Sequence, residues 1–304
     1  MTIRFGEGQM KAALQRVKMI QVQEFFDTCT STLTYVVWDP ASRDAVVIDP
    51  VLDYDPAASK VSETSAEKVL GFIASKELRL HLILETHCHA DHLSGAQAIK
   101  RKHSAAKIGI GRKITEAQKL FKDVFDFDAS FKTDGSQFDL LFDEGQRVSA
   151  GSLEFRVLFT PGHTPACASY IFGEEAAFVG DALFMPDYGS GRCDFPGGDA
   201  SELYRTIHDK LFSLPAGMKI YTGHDYQPGG RPLKFWATVE EERTTNVHVK
   251  PQTTCDEFVR FRTERDKTLS APKLLLPAVQ LNLRAGRMPE PHKNGRRYLT
   301  IPIE

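Results

Sequence analysis

A run of metal-binding side chains in the first third of the chain most constrains its fold. Residues 86–92 hold three histidines and an aspartate, between an apolar stretch at 80–85 and a helix-like stretch at 93–102. Residues two apart in an extended segment point the same way, so His87 and His89 can face one point. Imidazole and carboxylate groups bind zinc, iron or manganese. This cluster therefore predicts a metal site where a buried strand passes into a helix.

Three later donors stand at the ends of other predicted strands. Each follows a glycine and an apolar stretch: His163 after residues 153–159, Asp181 after residues 176–179 and His224 after residues 218–221. A glycine relieves backbone crowding beside a side chain that must be aimed at a site. Loops at strand ends carry a large share of binding residues. Together with the first cluster, these donors predict one metal centre built from several strand ends.

The remaining chain alternates strand-like and helix-like stretches, which predicts an α/β fold. Further strands are predicted at 33–38, 44–49, 138–142 and 168–172, and helices at 65–75, 201–211, 239–246 and 256–265. We expect Thr64 and Glu67 to form a capping box and Ser201 to cap its helix. We expect a single domain over residues 1–304, with an N-terminal extension (1–18) and a Pro-rich, basic C-terminal tail (272–304) that wraps the domain.

Composition narrows the function classes. The formal net charge is −2 and basic residues are scattered, so we expect no nucleic-acid partner. No apolar run approaches the roughly 18 residues of a membrane span, so we expect no membrane partner. The five cysteines show neither a CxxC pair nor a disulfide framework, which predicts reduced thiols and a cytoplasmic location. A chain this long can fold without a structural metal, so a metal site in it is interpreted as functional.

The motifs, in this order, resemble those of the metallo-β-lactamase superfamily. His-x-His-x-Asp-His at 87–92 is followed by Gly-His at 162–163, Gly-Asp at 180–181 and Gly-His at 223–224. The resemblance extends from about residue 19 to residue 224. It implies an αββα sandwich whose metal site lies at one edge of the two sheets.

A narrower resemblance is to the persulfide dioxygenases of the bacterial type. It rests on the segments 180–184, 191–195, 223–226 and 238–243. It implies one ferrous iron per chain, held by His87, His163 and Asp181, with three coordination positions open. The implied reaction is the oxidation of glutathione persulfide by O2 to sulfite and glutathione, within sulfur metabolism and hydrogen sulfide detoxification. The other donors would orient the ligands from outside: His89, Asp91, His92 and His224.

Two other functions are left open by the donor set. A dinuclear zinc thioesterase of the glyoxalase II type would place two zinc ions on all seven donors and attack the thioester with a bridging hydroxide. Its ligands would be His87, His89, His163 and Asp181 on one zinc, with Asp91, His92, Asp181 and His224 on the other. The Gly-Arg-x-Asp-Phe loop at 191–195 and the tail after residue 224 disfavour it. A non-catalytic metal-bound scaffold or sulfur sensor is disfavoured by the open site.

Further candidate catalytic residues are Arg192, Asp194 and Tyr226. The guanidinium of Arg192 could form a two-pronged set of hydrogen bonds that fixes the site loop, and we favour this interpretation. Direct contact with a glutathione carboxylate and a surface ion pair are the alternatives. Arg231 and Lys234 are candidates for contact with the glutathione carboxylates. The alternative for each is a solvated surface charge without a role in binding. Two cysteines, Cys88 and Cys193, are expected to be structural. A homodimer is possible, and the sequence does not determine the oligomeric state.

Overall fold

The computed structural model describes residues 20–303, which form two six-stranded β-sheets, a small three-stranded sheet and seven α-helices within that range. In chain order the strands are β1 (Gln21–Asp27), β2 (Thr32–Trp38), β3 (Asp44–Ile48), β4 (Val51–Asp55), β5 (Lys60–Ser62), β6 (Arg79–Glu85), β7 (Leu93–Ser94), β8 (Lys107–Gly111), β9 (Leu140–Phe142), β10 (Arg147–Ala150), β11 (Leu153–Phe159), β12 (Ala168–Phe172), β13 (Ala176–Phe178), β14 (Lys219–Tyr221) and β15 (Trp236–Thr238). The helices are α1 (Thr64–Ser75), α2 (Ala96–Lys102), α3 (Ile114–Val124), α4 (Ala200–Arg205), α5 (Val239–Thr245), α6 (Cys255–Asp266) and α7 (Leu275–Asn282).

The strand order is β1-β2-β3-β6-β8-β9 in the first large sheet and β10-β11-β12-β13-β14-β15 in the second. Their facing sides share one core, in which Leu33, Val46 and Leu84 of the first sheet cluster with Phe155 and Phe172 of the second. The outer face of each sheet is apolar as well and is covered by helices. Sheets that are apolar on both faces need such cover. The predicted αββα sandwich is confirmed.

Two buried tyrosines join the sheets near the ends from which the predicted metal ligands emerge. The Tyr35 hydroxyl on β2 donates to the carbonyl oxygen of Thr222 at 2.7 Å. The Tyr170 hydroxyl on β12 donates to the carbonyl oxygen of Glu85 at 2.6 Å. A buried phenol needs a hydrogen-bond partner, and here each partner lies on the opposite sheet. Both bonds end within two residues of a predicted ligand, so packing between the sheets sets the position of the site loops.

The predicted caps of two helices are wrong. Thr64 lies inside α1, whose N-cap is Glu63, and no side chain of that cap bonds to the helix. Instead, the Asp53 carboxylate on β4 accepts the Ser65 amide at 2.8 Å. In α4 the cap is Asp199, whose carboxylate accepts the amides of residues 201 and 202. The predicted caps cannot act as caps because they lie inside their helices. In both helices an aspartate carboxylate accepts the free amides of the first turn instead.

Tertiary pairing also changes two predicted helices and the tail. Residues 93–94 form β7, which pairs with β4, so α2 begins only at Ala96. The predicted helix at 201–211 becomes a π-helix over Thr206–Leu211. Part of the tail is core, because Ala278 and Leu281 of α7 are buried. The sequence analysis did not predict the following elements: β1, β4, β5, β8, β10, β15, α3 and α7. The N-terminal extension lies outside the described residues, and within residues 20–303 no helix is long and apolar enough to cross a membrane.

Candidate metal centre

Seven donor side chains from both large sheets meet at one edge of the sandwich. The loop after β6 carries the first cluster, and the segments after β11, β13 and β14 carry the three later donors. One ligand atom from each of His87, His163 and Asp181 lies within 4.8 Å of the other two. A second such group is formed by His89, Asp91 and His92. The structure therefore brings together donors as far apart in the chain as His87 and His224.

The first group fits a divalent metal ion. His87 Nε2 and Asp181 Oδ1 are buried and have no hydrogen-bond partner among the described residues. His163 Nε2 lies 3.7 Å from Asp181 Oδ2, and all three residues are buried. Buried polar atoms without a partner are rare in folded proteins, because each one costs free energy. A cation bound between two imidazoles and a carboxylate would satisfy these atoms, so the residues present suit the group that the motifs predict.

Hydrogen bonds fix which ring nitrogen of each histidine is free. His163 Nδ1 donates to the carbonyl oxygen of Arg192 at 2.7 Å, which leaves the Nε2 lone pair available. His87 Nδ1 lies 3.0 Å from the Thr86 hydroxyl, which donates to the Asp49 carboxylate at 2.8 Å. Because that hydroxyl gives its own hydrogen to Asp49, it accepts one from His87 Nδ1. Burial lowers the pKa of His87 well below its ordinary value, so its ring is neutral and suits a metal.

The second group, His89, Asp91 and His92, makes more hydrogen bonds to neighbouring protein groups than the first. Asp91 Oδ2 accepts from the Thr32 hydroxyl and from His92 Nδ1, both at 2.9 Å. Burial alone would raise the pKa of Asp91, but His224 and His92 outweigh it and hold that pKa well below its usual range. His224 Nε2 lies 3.5 Å from both Asp91 Oδ2 and Asp181 Oδ1. His224 thus stands between the two groups.

Two buried carboxylates that the sequence analysis missed support the cluster. Asp49 accepts the Thr86 amide at 2.7 Å and lies 3.0 Å from His89 Nε2. Glu85 Oε2 lies 3.3 Å from the same nitrogen, and burial raises the pKa of Glu85. Burial alone would lower the pKa of His89, but the two carboxylates raise it. The sequence feature that could have identified them is an acidic residue at the end of an apolar strand: Asp49 follows β3 and Glu85 ends β6.

The loop at 189–195 is fixed by Arg192. Its guanidinium makes two hydrogen bonds of 2.6 Å to Asp194 and one of 2.8 Å to the carbonyl oxygen of Ser270. It also lies 5.0 Å from the ring centre of Phe195, whose ring contacts the imidazole of His163. This geometry agrees with the interpretation that Arg192 fixes the loop. Both carboxylate oxygens of Asp194 are used in binding the Arg192 guanidinium.

The other predicted site residues divide between the cavity and the surface. The ring of Tyr226 stacks on His224 with centres 5.4 Å apart, and Tyr226 lines the cavity above the donors. Arg231 and Lys234 are not part of that lining. The Arg231 guanidinium binds the carboxylate of Asp225 at 2.7 Å and also that of Asp187. The expected contact of Arg231 with a substrate carboxylate is therefore not supported, because its donors are already used within the protein.

A single large cavity gives access to the donors. Its volume is about 1250 Å³, and its lining includes His92, His163, Asp181 and His224. Cys88 is buried on the opposite side, with its sulfur 3.9 Å from the carbonyl oxygen of Val279, as the alternation of side chains predicts. The cavity is large enough for a tripeptide-sized ligand to reach the donor cluster.

The family assignment follows from the sequence match to this part of the fold. Residues 27–224 match the model of the metallo-beta-lactamase superfamily, which is more than half of the chain and includes every donor described above. The chain belongs to the metallo-β-lactamase superfamily. As a member of this superfamily of metalloenzymes, it carries its candidate ligands at the sandwich edge.

Named relatives of this metallo-β-lactamase-fold protein differ in activity. A probable metallo-hydrolase of Burkholderia pseudomallei (strain 1710b) is 48% identical over 292 residues, covering 93% of this chain and 99% of that protein. The human mitochondrial persulfide dioxygenase ETHE1 is 33% identical over 268 residues, covering 88% of this chain and 89% of that protein. The crystal structure of ETHE1 from Myxococcus xanthus aligns with a TM-score of 0.69 at 31% identity, covering 88% of this chain and 100% of that one. These relatives share the family, and their names divide between hydrolase and dioxygenase.

Proposed function

We propose that this protein is a persulfide dioxygenase that oxidises glutathione persulfide at a mononuclear non-haem iron. The overall reaction converts the persulfide, O2 and one water into glutathione, sulfite and two protons. The observation that carries the proposal is the grouping of His87, His163 and Asp181 within 4.8 Å, with unpartnered ligand atoms beside an open cavity. Two imidazoles and one carboxylate would hold Fe(II) and leave positions on it for the reactants.

The roles of the protein residues follow from their contacts. Ferrous iron, when bound, supplies the oxygen chemistry and a site for the terminal sulfur of the persulfide. The rings of His87 and His163 present Nε2, and Asp181 presents its carboxylate. The Arg192 carbonyl holds His163 in this tautomer. The cavity brings the persulfide to the donors, so the reacting groups are held close together.

The contacts of the second group favour one metal over two. Asp91 Oδ2 already accepts two hydrogen bonds, and His89 Nε2 is held between Asp49 and Glu85. These residues orient and tune the ligands of the first group from outside. A second metal would have to compete with these internal bonds for Asp91.

A dinuclear zinc thioester hydrolase is the second candidate, and a specific observation favours it. His89 Nδ1 and His92 Nε2 are also buried without a hydrogen-bond partner among the described residues. With Asp91 they form a compact group, and His224 could bridge it to Asp181. A relative of high identity is named a probable metallo-hydrolase.

The experiment that decides between them measures oxygen uptake and thioester hydrolysis on the same preparation. Protein purified anaerobically under reducing conditions is given glutathione persulfide or S-lactoylglutathione in an oxygen electrode, and sulfite is assayed. We expect oxygen uptake with sulfite from the persulfide. Thioester turnover without oxygen uptake on the persulfide would overturn the assignment.

The variant His224→Ala sharpens this test. In the mononuclear enzyme we expect it to keep its iron and to lose about 10- to 100-fold in activity, as is typical of residues that support the ligands. In a dinuclear hydrolase it removes a ligand of the second metal and abolishes turnover. His292→Ala is the control, because His292 is exposed and outside the cavity lining. A dead His224→Ala protein without metal would contradict the mononuclear site.

We further propose that the protein acts in the cytoplasm on small-molecule substrates, without nucleic-acid or membrane partners. The formal net charge of −2 supports the first of these exclusions. A homodimer stays a prediction, which size-exclusion chromatography with light scattering would check.

A further inference from the structure

His248 lines the same cavity but belongs to neither donor group. Its Nδ1 accepts the Ser190 amide at 3.2 Å, so in the neutral ring the proton is on Nε2. A Cβ at Gly189 would overlap this imidazole, and the positive φ of Gly189 (101°) also suits glycine. The loop at 189–190 is thus shaped to hold His248 as a neutral hydrogen-bond donor.

Arg265 on α6 also lines the cavity and has no carboxylate partner within residues 20–303. Its one hydrogen bond there is a long contact of 3.4 Å from Nη1 to the Thr268 hydroxyl. Arg262, almost one turn earlier, is different: it is buried, binds Asp266 and donates to the carbonyl oxygen of Ser190 at 3.1 Å. Arg262 therefore fixes the loop, and Arg265 is left with unused donors.

The two arginines act on the imidazole of His248. Burial is the largest cause, and the charges of Arg262 and Arg265 add to it, lowering the pKa of His248 to about 4. Near neutral pH His248 is therefore uncharged and adds a donor without adding charge. Its ring also packs on Phe261, with centres 4.3 Å apart. Arg265 lies four residues after Phe261 on α6, so it is on the same helix face as the residue that packs on His248.

Carboxylates that share this cavity are already used elsewhere. Asp53 caps α1 through Ser65, and Asp187 binds Arg231. Lys60 and Lys273 also line the cavity, and neither forms a salt bridge in the described part of the chain. Arg265, Lys60 and Lys273 thus have no carboxylate partner among the described residues, and a bound ligand with carboxylates would supply one.

We propose that Arg265 and the Nε2–H of His248 form a subsite for a carboxylate of the substrate. This inference rests on the proposed function, which identifies the reacting sulfur as that of a persulfide. A Cβ at Gly191 would overlap the carbonyl oxygen of Asp181, so the loop that holds His248 packs directly on a predicted metal ligand. A carboxylate bound at the subsite would therefore orient the sulfur toward the donors.

The test measures binding and needs no turnover. S-methylglutathione, which lacks the reactive sulfur, is titrated calorimetrically into metal-loaded protein, in parallel with its derivative in which both carboxylates are amidated. We expect the wild type to bind the free acid about 10- to 100-fold more tightly than the diamide, the range of a charge-assisted hydrogen bond. Arg265→Gln should reduce this preference to near unity, and His248→Asn should reduce it in part. Arg260→Gln should leave it unchanged, because Arg260 is an exposed residue of the same helix outside the cavity lining.

Each outcome separates this subsite from the proposed function. A preference for the acid that persists in Arg265→Gln, or that the wild type lacks, overturns the subsite even if persulfide oxidation is observed. A preference that depends on Arg265 supports the subsite even if no persulfide drives oxygen uptake, and in that case the proposed reaction fails. Because Arg265 is exposed, its replacement leaves the core intact, and an unchanged melting temperature would verify this.

Discussion

His163 and Arg192 are joined through the protein backbone and not through the arginine side chain. The Nδ1 of His163 donates to the Arg192 carbonyl oxygen at 2.7 Å, while the Arg192 guanidinium binds Asp194 and the carbonyl oxygen of Ser270. The arginine fork therefore holds a carbonyl that sets the ring orientation of a predicted metal ligand. A change in the fork is transmitted to the site as a change in loop geometry.

Replacing Arg192 by alanine should lower activity without removing the metal. A lost charge-assisted hydrogen bond costs about 1.5–3 kcal/mol, which corresponds to roughly 10- to 100-fold in kcat/KM. Iron content by elemental analysis and oxygen uptake on glutathione persulfide measure the two effects. Arg260→Ala serves as the matched control on an exposed arginine. Unchanged kinetics in Arg192→Ala would mean that the fork has no functional role.

Replacing His163 by alanine should remove most of the iron. We expect close to one iron per chain in the wild type, and the variant keeps only two of the three predicted protein ligands. Elemental analysis of both proteins from iron-replete cells checks this. A wild type with two zinc ions and negligible iron would contradict the mononuclear proposal and support the hydrolase.

His248 should make the protein sensitive to acid. Its pKa is about 4 in the folded protein, against 6.5 in its ordinary state, so between these values the unfolded chain takes up a proton that the folded chain does not. The free energy of unfolding therefore falls as pH drops from 6.5 toward 4, by about 1–3 kcal/mol from this group. Urea unfolding of His248→Gln at pH 7 and pH 4.5 should show a smaller fall than the wild type. An equal fall in both proteins would exclude this contribution.

The thiols should differ sharply in reactivity. Cys29 is exposed, whereas Cys88, Cys167 and Cys193 are buried. Burial raises the pKa of Cys167 to about 12 and raises those of the other two further. Titration of the native protein with Ellman's reagent should show a fast phase that Cys29→Ser removes, with the buried thiols reacting only in denaturant. Because Cys255 is half-buried, fast labelling of two or more thiols in native Cys29→Ser would show that a buried cysteine is accessible.

Local patterns were sufficient to predict many of the strands and the donors, whereas the sandwich was implied by the family resemblance. The stretches 153–159 and 168–172 became strands with those same bounds. Residues 168–172 are all buried, as in a strand covered on both faces, whereas 153–159 alternates apolar residues with Glu154 and Arg156. His87 and His89 could be paired from their spacing alone, since alternation is a local property of extended chain. The metal and the reaction were implied by family resemblance, and they stay predictions.

What only the tertiary structure decided are the contacts between segments far apart in the chain. Asp49 reaches His89 across 40 positions, and Ser190 reaches His248 across 58. Arg192 binds the carbonyl oxygen of Ser270 across 78. None of these pairs has a local signature, because each forms only after segments far apart in the chain have packed together. The sequence by itself determined which side chains can bind a metal, and packing decided which partners hold and orient them, since orientation depends on neighbours that the chain brings close only when it folds.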